Sequence, residues 1–211
     1  MAAGLATPIK NINMTFSAER LQQQLDFIVE VDKLKHIFRR TILIDASRRE
    51  NDAEHSWHLS MCAILLQEYA IEKIDLCRVL KMVTIHDLIE IYAGDTFAFD
   101  VEANKDKAQR EELAADKLFS QLPEDQAKEI RSLWEEFDAM NTPDSRYAAS
   151  LDRIQPFIHN TKTGGHTWIK GCATEAQVLE RTGPIKTGTP ALWPWILENI
   201  EIGIKEGWIS K

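Results

Sequence analysis

Four side chains in this sequence could together hold one divalent metal ion. They are His55, the adjacent pair His86 and Asp87, and Asp152. Two imidazoles and two carboxylates form a mixed nitrogen and oxygen donor set, which suits Mn, Co, Ni, Fe or Zn better than Mg or Ca. Asp87 lies within an apolar stretch, where an ionised carboxylate without a partner would be strongly unfavourable. These residues therefore predict one divalent ion per subunit, which could polarise a phosphate ester and acidify water.

A further carboxylate follows the His86-Asp87 pair at a spacing that suits proton transfer. Glu90 lies four residues after His86 and three after Asp87, and residues at these spacings share a face of a helix. A carboxylate one turn from a metal can take a proton from an attacking water. We therefore expect hydrolysis of a phosphate ester, with Glu90 orienting or deprotonating the water and Asp95 assisting it.

The elements that position these residues are predicted to be helices. Apolar residues recur at three- and four-residue spacings, which is typical of amphipathic helices, and capping residues and glycines mark their ends. The predicted helices run from Ser17 to about Phe38, from Asp52 onward, from near Asp75 to Gly94, from Lys105 to Gln121, from Pro123, from Pro143 through Asp152, and from Pro190 to near Gly207. The polar segment Thr41 to Asn51 is predicted to be a loop, and strand signals are weak throughout. The fold class is therefore all-α.

The last fifty residues differ in composition from the rest. They hold four of the six tryptophans, namely Trp168, Trp193, Trp195 and Trp208, and they follow the pair Gly164-Gly165. We predict a helical bundle over residues 1–165 and a C-terminal helical extension over residues 166–211 that packs on the same domain.

Composition narrows the classes of partner. The 211 residues carry a net charge of −8, which argues against a nucleic-acid polymer as partner because its phosphates would be repelled. A small phosphorylated ligand remains compatible, because a metal and a few arginines can set the local potential. The three widely spaced cysteines suggest reduced thiols and a cytoplasmic location. Residues 1–15 show no signal peptide, and no segment is apolar enough to span a membrane.

An ordered set of motifs resembles the HD-domain metal-dependent phosphohydrolase superfamily, and within it the branch of the 5′-deoxynucleotidases. The resemblance covers roughly residues 20–160. The matching text is Leu34-Lys35, an arginine before the polar loop, Arg48, Glu50-Asn51, Glu54-His55-Ser56, His86-Asp87 followed by Glu90, Gly94-Asp95, Leu122-Pro123-Glu124-Asp125, Leu133-Trp134-Glu135-Glu136 and Leu151-Asp152. This resemblance implies an HD-domain helical bundle that acts as a homodimer on a small phosphorylated substrate, namely a nucleoside 5′-monophosphate.

The resemblance also implies roles for individual residues. His55, His86, Asp87 and Asp152 match the metal ligands, and Glu90 and Asp95 match the carboxylates near the attacking water. An ungapped count places the arginine that orients the phosphate on Arg40. Further substrate contacts fall on Thr96 and Glu136. One departure concerns the sugar, because Thr41 replaces the tryptophan with which the family rejects a ribose 2′-hydroxyl.

Two other functions remain open from the sequence. Alarmone pyrophosphohydrolases of the same superfamily also carry a His-Asp pair followed by a glutamate, so release of pyrophosphate or hydrolysis of another small phosphorylated metabolite is an alternative. The second alternative is a non-catalytic metal or nucleotide sensor. Superfamily members with two metals need additional histidines between the His-Asp pair and the final aspartate. Residues 88–151 contain no histidine, so a site with one metal is expected.

Overall fold

A computed structural model describes residues 17–100 and 102–211 of the chain. The expectation that residues 1–15 lack a signal peptide concerns positions outside the described residues. The predicted helical fold is confirmed. The helices are α1 (Ala18–Val31), α2 (Asp52–Leu65), α3 (Leu76–Ile85), α4 (Glu90–Ala93), α5 (Lys107–Phe119), α6 (Glu124–Ala139), α7 (Pro143–Lys162), α8 (His166–Lys170), α9 (Glu175–Arg181), α10 (Ile185–Gly188) and α11 (Trp193–Lys205). Short 3-10 helices cover Asp32–His36, Gln67–Tyr69 and Pro190–Leu192.

Helices α2, α3 and α7 pack against one another at the centre of the hydrophobic core. Leu59, Val79 and Tyr147, one from each helix, are fully buried. Burying an aliphatic side chain of this size contributes about 1.5–3 kcal/mol. The hydroxyl of Tyr147 donates to the carbonyl of Ala63 at 2.9 Å, which satisfies the polar end of a buried aromatic residue. Of the four predicted metal ligands, His55 lies on α2, Asp152 lies on α7, and His86 and Asp87 directly follow α3, so the hydrophobic core holds the site.

The segment between α1 and α2 differs from the prediction. Helix α1 ends at Val31, and the chain then forms two short antiparallel strands, β1 (Phe38–Ile42) and β2 (Arg49–Asn51). The predictions of a helix to Phe38 and of a loop from Thr41 to Asn51 were therefore wrong in these places. The inward-facing residues of the hairpin, Arg39, Thr41 and Glu50, are buried although they are polar. Because a polar inner face produces no alternation of apolar and polar residues, the strand pattern was not visible in the sequence.

The predicted helix from Asp75 to Gly94 is interrupted at the His-Asp pair. Helix α3 ends at Ile85, a turn covers residues 86–89, and α4 begins at Glu90. In the turn, the backbone N–H of Glu90 donates to the carbonyl of Asp87 at 3.0 Å, which is the tighter i to i+3 pattern. Residues three apart are eclipsed in this geometry, so Glu90 lies directly above Asp87.

The C-terminal helices share one hydrophobic core with the rest of the described chain. Trp168, Ile185, Ile196 and Ile200 are all buried in that core. The chain near Ser210 pairs with the segment before α9, where the N–H of Ser210 donates to the carbonyl of Ala173 at 3.0 Å. We therefore propose that residues 166–211 are an integral part of one domain. Within the described ranges, no helix combines the length and apolar character needed to cross a bilayer.

Candidate metal centre and adjoining cavity

The structure brings the four predicted ligands together where α2, α3 and α7 meet. His55 Nε2 lies 2.9 Å from Asp152 Oδ1, and His86 Nε2 lies 3.0 Å from Asp87 Oδ2. The longer separations across the group are 3.7 Å between His86 Nε2 and Asp152 Oδ1 and 3.9 Å between His55 Nε2 and Asp87 Oδ2. All four residues are buried. The arrangement matches a single centre that these donors share.

Hydrogen bonds orient both imidazoles so that Nε2 faces the centre. His55 Nδ1 lies 3.0 Å from Gln155 Oε1, and His86 Nδ1 lies 3.0 Å from the carbonyl oxygen of Val83. Both partners accept hydrogen bonds, so each Nδ1 carries a proton and each Nε2 offers its lone pair to a metal. His86 Nε2 is buried and lacks a hydrogen-bond partner among the described residues. The donor set and its orientation therefore fit a divalent ion.

The charge of the site points to a bound cation. Burial lowers the pKa of His86, but the negative charges of Asp87 and Asp152 outweigh it and raise that pKa to about 10. A proton on His86 thus offsets part of the carboxylate charge when no metal does so. In contrast, burial and the positive charge of Arg39 lower the pKa of His55 to about 4, so His55 is neutral at physiological pH. A divalent ion would replace the proton and balance both carboxylates.

The buried arginine of the site is Arg39, not the expected Arg40. Arg39 Nη1 donates to Asp87 Oδ2 at 2.7 Å and to Asp52 Oδ1 at 3.1 Å. Successive residues of a strand face opposite sides, so Arg39 and Thr41 face the site while Arg40 is exposed. Arg40 reaches only the adjoining cavity, which it lines together with Thr41. Counting residues back from His55 could not separate two adjacent arginines, because the count does not show which one the strand turns inward.

Three acids lie beside the metal ligands, namely the buried Asp52 and Glu90 and the half-buried Asp95. One oxygen from each lies within 4.8 Å of the others. Burial and the negative charges of Asp87 and Asp52 raise the pKa of Glu90 well above its usual range. Glu90 Oε2 is buried and has no hydrogen-bond partner in the described chain. The expected catalytic carboxylate therefore lies beside the metal ligands with one oxygen free of protein partners in the described chain.

Asp95 and Thr96 reach the site because the chain turns sharply after α4. Gly94 has φ +76°, in the left-handed region that favours glycine. Burial raises the pKa of Asp95. The Thr96 hydroxyl accepts a hydrogen bond from Arg110 Nη2 at 3.1 Å, which fixes its position. Both predicted substrate contacts line the cavities on either side of this turn.

A partly open cavity adjoins the metal centre. Its aromatic walls come from the segment after Asp95, from α7 and from α8, and they consist of Phe97, Phe99, Phe157 and Trp168. The polar groups that face it include Asn160 and Thr167. Concave sites with aromatic walls and a few polar groups are typical of small-molecule ligands.

The structure does not bring Glu136 to this site. Glu136 accepts a hydrogen bond from Arg78 Nε at 3.0 Å and another from the Thr142 hydroxyl at 2.6 Å. The residues of α6 that line the metal cavity are instead Trp134, Phe137 and Asp138. The expected substrate contact at Glu136 is therefore corrected to a structural ion pair between α6 and α3.

A buried polar network behind His55 is absent from the sequence-based expectations. Gln155 accepts from His55 Nδ1 and donates through Nε2 to Glu50 Oε1 at 2.6 Å. The same Nε2 lies 3.2 Å from His58 Nδ1 and 3.1 Å from His159 Nε2. The spacing of Gln155 from Asp152, three residues on a helix, is the signal that could have revealed it.

Comparisons with known proteins agree with this geometry. A family model described as HD domain matches residues 31–193. Human 5′-deoxynucleotidase HDDC2 is 27% identical over 145 residues, covering 68% of this chain and 70% of that protein. The 5′-deoxynucleotidase YBR242W of Saccharomyces cerevisiae is 26% identical over 140 residues, covering 64% of this chain and 57% of that protein.

A solved structure is similar over nearly the whole chain. It is the crystal structure of a predicted metal-dependent phosphohydrolase from Magnetospirillum magnetotacticum MS-1, with a TM-score of 0.86 and 45% sequence identity. The match covers 92% of this chain and 97% of that chain. The superfamily that the motifs predicted is confirmed, and this chain belongs to the HD-domain family.

Proposed function

We propose that this protein is a metal-dependent phosphohydrolase that releases phosphate from nucleoside 5′-monophosphates. The observation that carries the proposal is the convergence of His55, His86, Asp87 and Asp152 beside an aromatic-walled cavity. The names of the curated relatives, which are 5′-deoxynucleotidases, support the same class of substrate.

The cofactor in this proposal is one divalent ion held by those four residues. When bound, such an ion supplies Lewis-acid activation of water and of the phosphoryl group. The nitrogen and oxygen donor set favours Co, Mn, Zn, Ni or Fe. Gln155 and the Val83 carbonyl hold the two imidazoles in the tautomer that ligation needs.

Glu90 is the proton acceptor in this proposal, and Asp95 orients the attacking water with it. The raised pKa of Glu90, caused by burial and by Asp87 and Asp52, makes its carboxylate a stronger base than an exposed one. A base whose pKa approaches the working pH is the more effective catalyst. Release of the nucleoside leaves inorganic phosphate as the second product.

The arginines of β1 orient the phosphate from two sides. Arg39 fixes Asp87 and contributes positive charge at the metal centre, while Arg40 closes the rim of the cavity. Thr41 and Thr96 line the part of the cavity that the sugar would occupy. Thr41 occupies the place of a larger tryptophan, so we expect both ribose and 2′-deoxyribose to be accepted.

We also propose a cytoplasmic homodimer without a nucleic-acid polymer as partner. Support for self-association comes from the outer face of α2, where Trp57, Ile64 and Leu65 are exposed although they are large and apolar. Contiguous exposed apolar residues often mark a protein interface. Light scattering of the wild type and of Ile64→Asp would test this, and a monomeric wild type would contradict it.

The direct test is phosphate release from metal-stripped protein supplied with Co, Mn, Zn or Mg and a panel of ribo- and deoxyribonucleoside 5′-monophosphates. We expect activity with at least one borderline metal, and a loss of about 10²–10⁴-fold in Glu90→Gln with metal content retained. Glu129→Gln, an exposed glutamate of α6, is the matched control and should behave as wild type.

Other outcomes would redirect the assignment. Release of pyrophosphate from a 3′-diphosphorylated guanine nucleotide, with no activity on monophosphates, would favour the alarmone class. Metal and nucleotide binding without any turnover would favour the sensor. Full turnover in Glu90→Gln would show that the base is a different residue.

A further inference from the structure

Arg181 is the last residue of α9, and packing turns it toward the interior. Thr174 caps the start of the helix by accepting from the N–H of Gln177 at 3.3 Å. Val178 is 1% exposed and anchors one face of the helix in the core. Arg181 lies three residues later, on the same face. The C-terminal helices therefore present a cation to the inside of the molecule.

The guanidinium of Arg181 has no partner within residues 17–100 and 102–211. It makes neither a hydrogen bond nor an ion pair there, whereas Arg39 pairs with Asp52 and Asp87, and Arg153 pairs with Asp152. Burial and the positive charge of Arg153 lower the pKa of Arg181 to about 9. Arg181 is half-buried, and a partly desolvated cation without a counter-charge is costly to keep. An anion at this position would remove that cost.

Arg181 stands where the two cavities of the site join. It lines the metal cavity together with His86, Asp87 and Asp152. It also lines the aromatic cavity together with Phe157 and Trp168. A ligand with its planar group between the aromatic walls and its anionic group toward the metal centre would pass directly by this guanidinium.

We propose that Arg181, flanked by Arg153, binds the phosphate of the substrate, so that the C-terminal helices complete the substrate site. The ligand is a phosphate monoester with a planar or aromatic group, and the inference rests on the function proposed above. A guanidinium offers up to five donors in a planar fork that matches two phosphate oxygens at once. Arg181 thus adds an anion contact from the C-terminal helices to those proposed for the arginines of β1.

Binding of inorganic phosphate to the metal-loaded full-length protein tests the proposal without relying on turnover. We expect Arg181→Gln to weaken phosphate binding by about 10–100-fold in calorimetry, since hydrogen bonds to charged groups are among the stronger ones. Arg181→Lys should be intermediate, because it keeps the charge but not the fork. Lys170→Gln removes an exposed positive charge from α8 and should bind as wild type. Unchanged binding in Arg181→Gln would overturn the proposal.

A measurement on the wild type covers the case in which Arg181→Gln fails to fold. An arginine-specific dicarbonyl reagent followed by peptide mass spectrometry should modify Arg181, and saturating phosphate should protect it at least about fivefold, as expected for a desolvated arginine that contacts an anion. Exposed Arg48, which lines neither cavity, gives the comparison and should react equally with and without phosphate. Equal modification of Arg181 with and without phosphate would contradict the proposal. Absence of nucleotide hydrolysis with phosphate protection intact would instead refute only the proposed function.

Discussion

At the scale of single residues, the site depends on which nitrogen of each histidine is protonated. The backbone fixes His86 through Val83, but a side chain, Gln155, fixes His55. Gln155 is itself held by Glu50, which is 2% exposed. The orientation of one metal ligand therefore depends on two residues that do not touch the metal centre.

Replacing Gln155 should weaken metal binding. Gln155→Met keeps the volume but removes the acceptor for His55 Nδ1, so we expect metal affinity to fall about 10–100-fold, as for other residues that orient ligating histidines. The double variant Glu50→Gln/Gln155→Glu exchanges amide and carboxylate and keeps both hydrogen bonds, so it should restore most of the affinity. Competition with a chromophoric chelator measures both. If Gln155→Met binds metal as tightly as the wild type, Gln155 does not position His55 for metal binding.

Glu50 should make the stability of the metal-free protein depend on pH. Burial, the main cause, raises its pKa from 4.5 to about 7. Since the folded state holds the proton more tightly than the unfolded state, this contribution is full at low pH and is lost as pH rises from about 4.5 through 7. Glu50→Gln should remove a penalty of up to about 3 kcal/mol at pH 8. Melting curves between pH 5 and 8 test this, with exposed Glu206→Gln as control. Equal Tm shifts in both variants would refute it.

The sequence specified the chemistry of the site better than its geometry. His55, His86, Asp87 and Asp152 were predicted from their residue types, from the need to neutralise Asp87 and from the resemblance to the HD-domain superfamily. The structure brings them together. Arg39 and Arg181 were not recognised, because which way an arginine points depends on strand alternation and on packing between distant helices. Neither property is visible in a local pattern of residues.

At the scale of elements, the interruption of the helix at residues 86–89 matters most. A continuous helix was predicted because Leu88 and Ile89 continue the apolar pattern. The tighter turn keeps those residues buried, so the apolar pattern is the same in either geometry. Capping residues, in contrast, predicted the start of α7 well, because Thr142 is its N-cap and Pro143 is its first residue. A helix cap depends on residues next to the helix end and can be read from the sequence. The break at residues 86–89 depends on the site that surrounds it.

The turn after α4 can be tested through its glycine. Gly94→Ala meets no atom within 4 Å but forces φ +76° on a residue with a side chain. We expect a loss of about 1 kcal/mol in stability and a fall in kcat, because Asp95 follows directly. Gly207 has the same φ and equally open surroundings, so Gly207→Ala should cost similar stability and leave kcat unchanged. Equal kcat in both variants would show that the turn does not position Asp95.

At the scale of the whole molecule, the C-terminal helices complete the core. Trp168 and Trp195 both pack edge-on against Phe157, at ring-centroid distances of 5.1 and 5.6 Å. They differ in burial, with Trp168 3% and Trp195 38% exposed. Trp168 is therefore part of the hydrophobic core, whereas Trp195 lies at its edge.

This difference in burial predicts that the two tryptophans differ in how much stability is lost when each is replaced by alanine. Trp168→Ala should lose about 3–5 kcal/mol, the usual range for a buried aromatic residue, and Trp195→Ala clearly less. Denaturant unfolding curves give both values. Removal of all residues after Gly165 should prevent cooperative unfolding. A cooperative transition in that shortened chain would instead show that residues 1–165 form an independent domain.

The distance along the chain between the metal ligands has a consequence for synthesis. His55 and Asp152 are 97 residues apart, so a metal ion that binds both also acts as a cross-link that closes a long loop. Domains begin to fold while the chain is being made, but this cross-link cannot form until α7 has left the ribosome. Metal loading is then an event that follows synthesis of α7, and products truncated before α7 would remain unloaded.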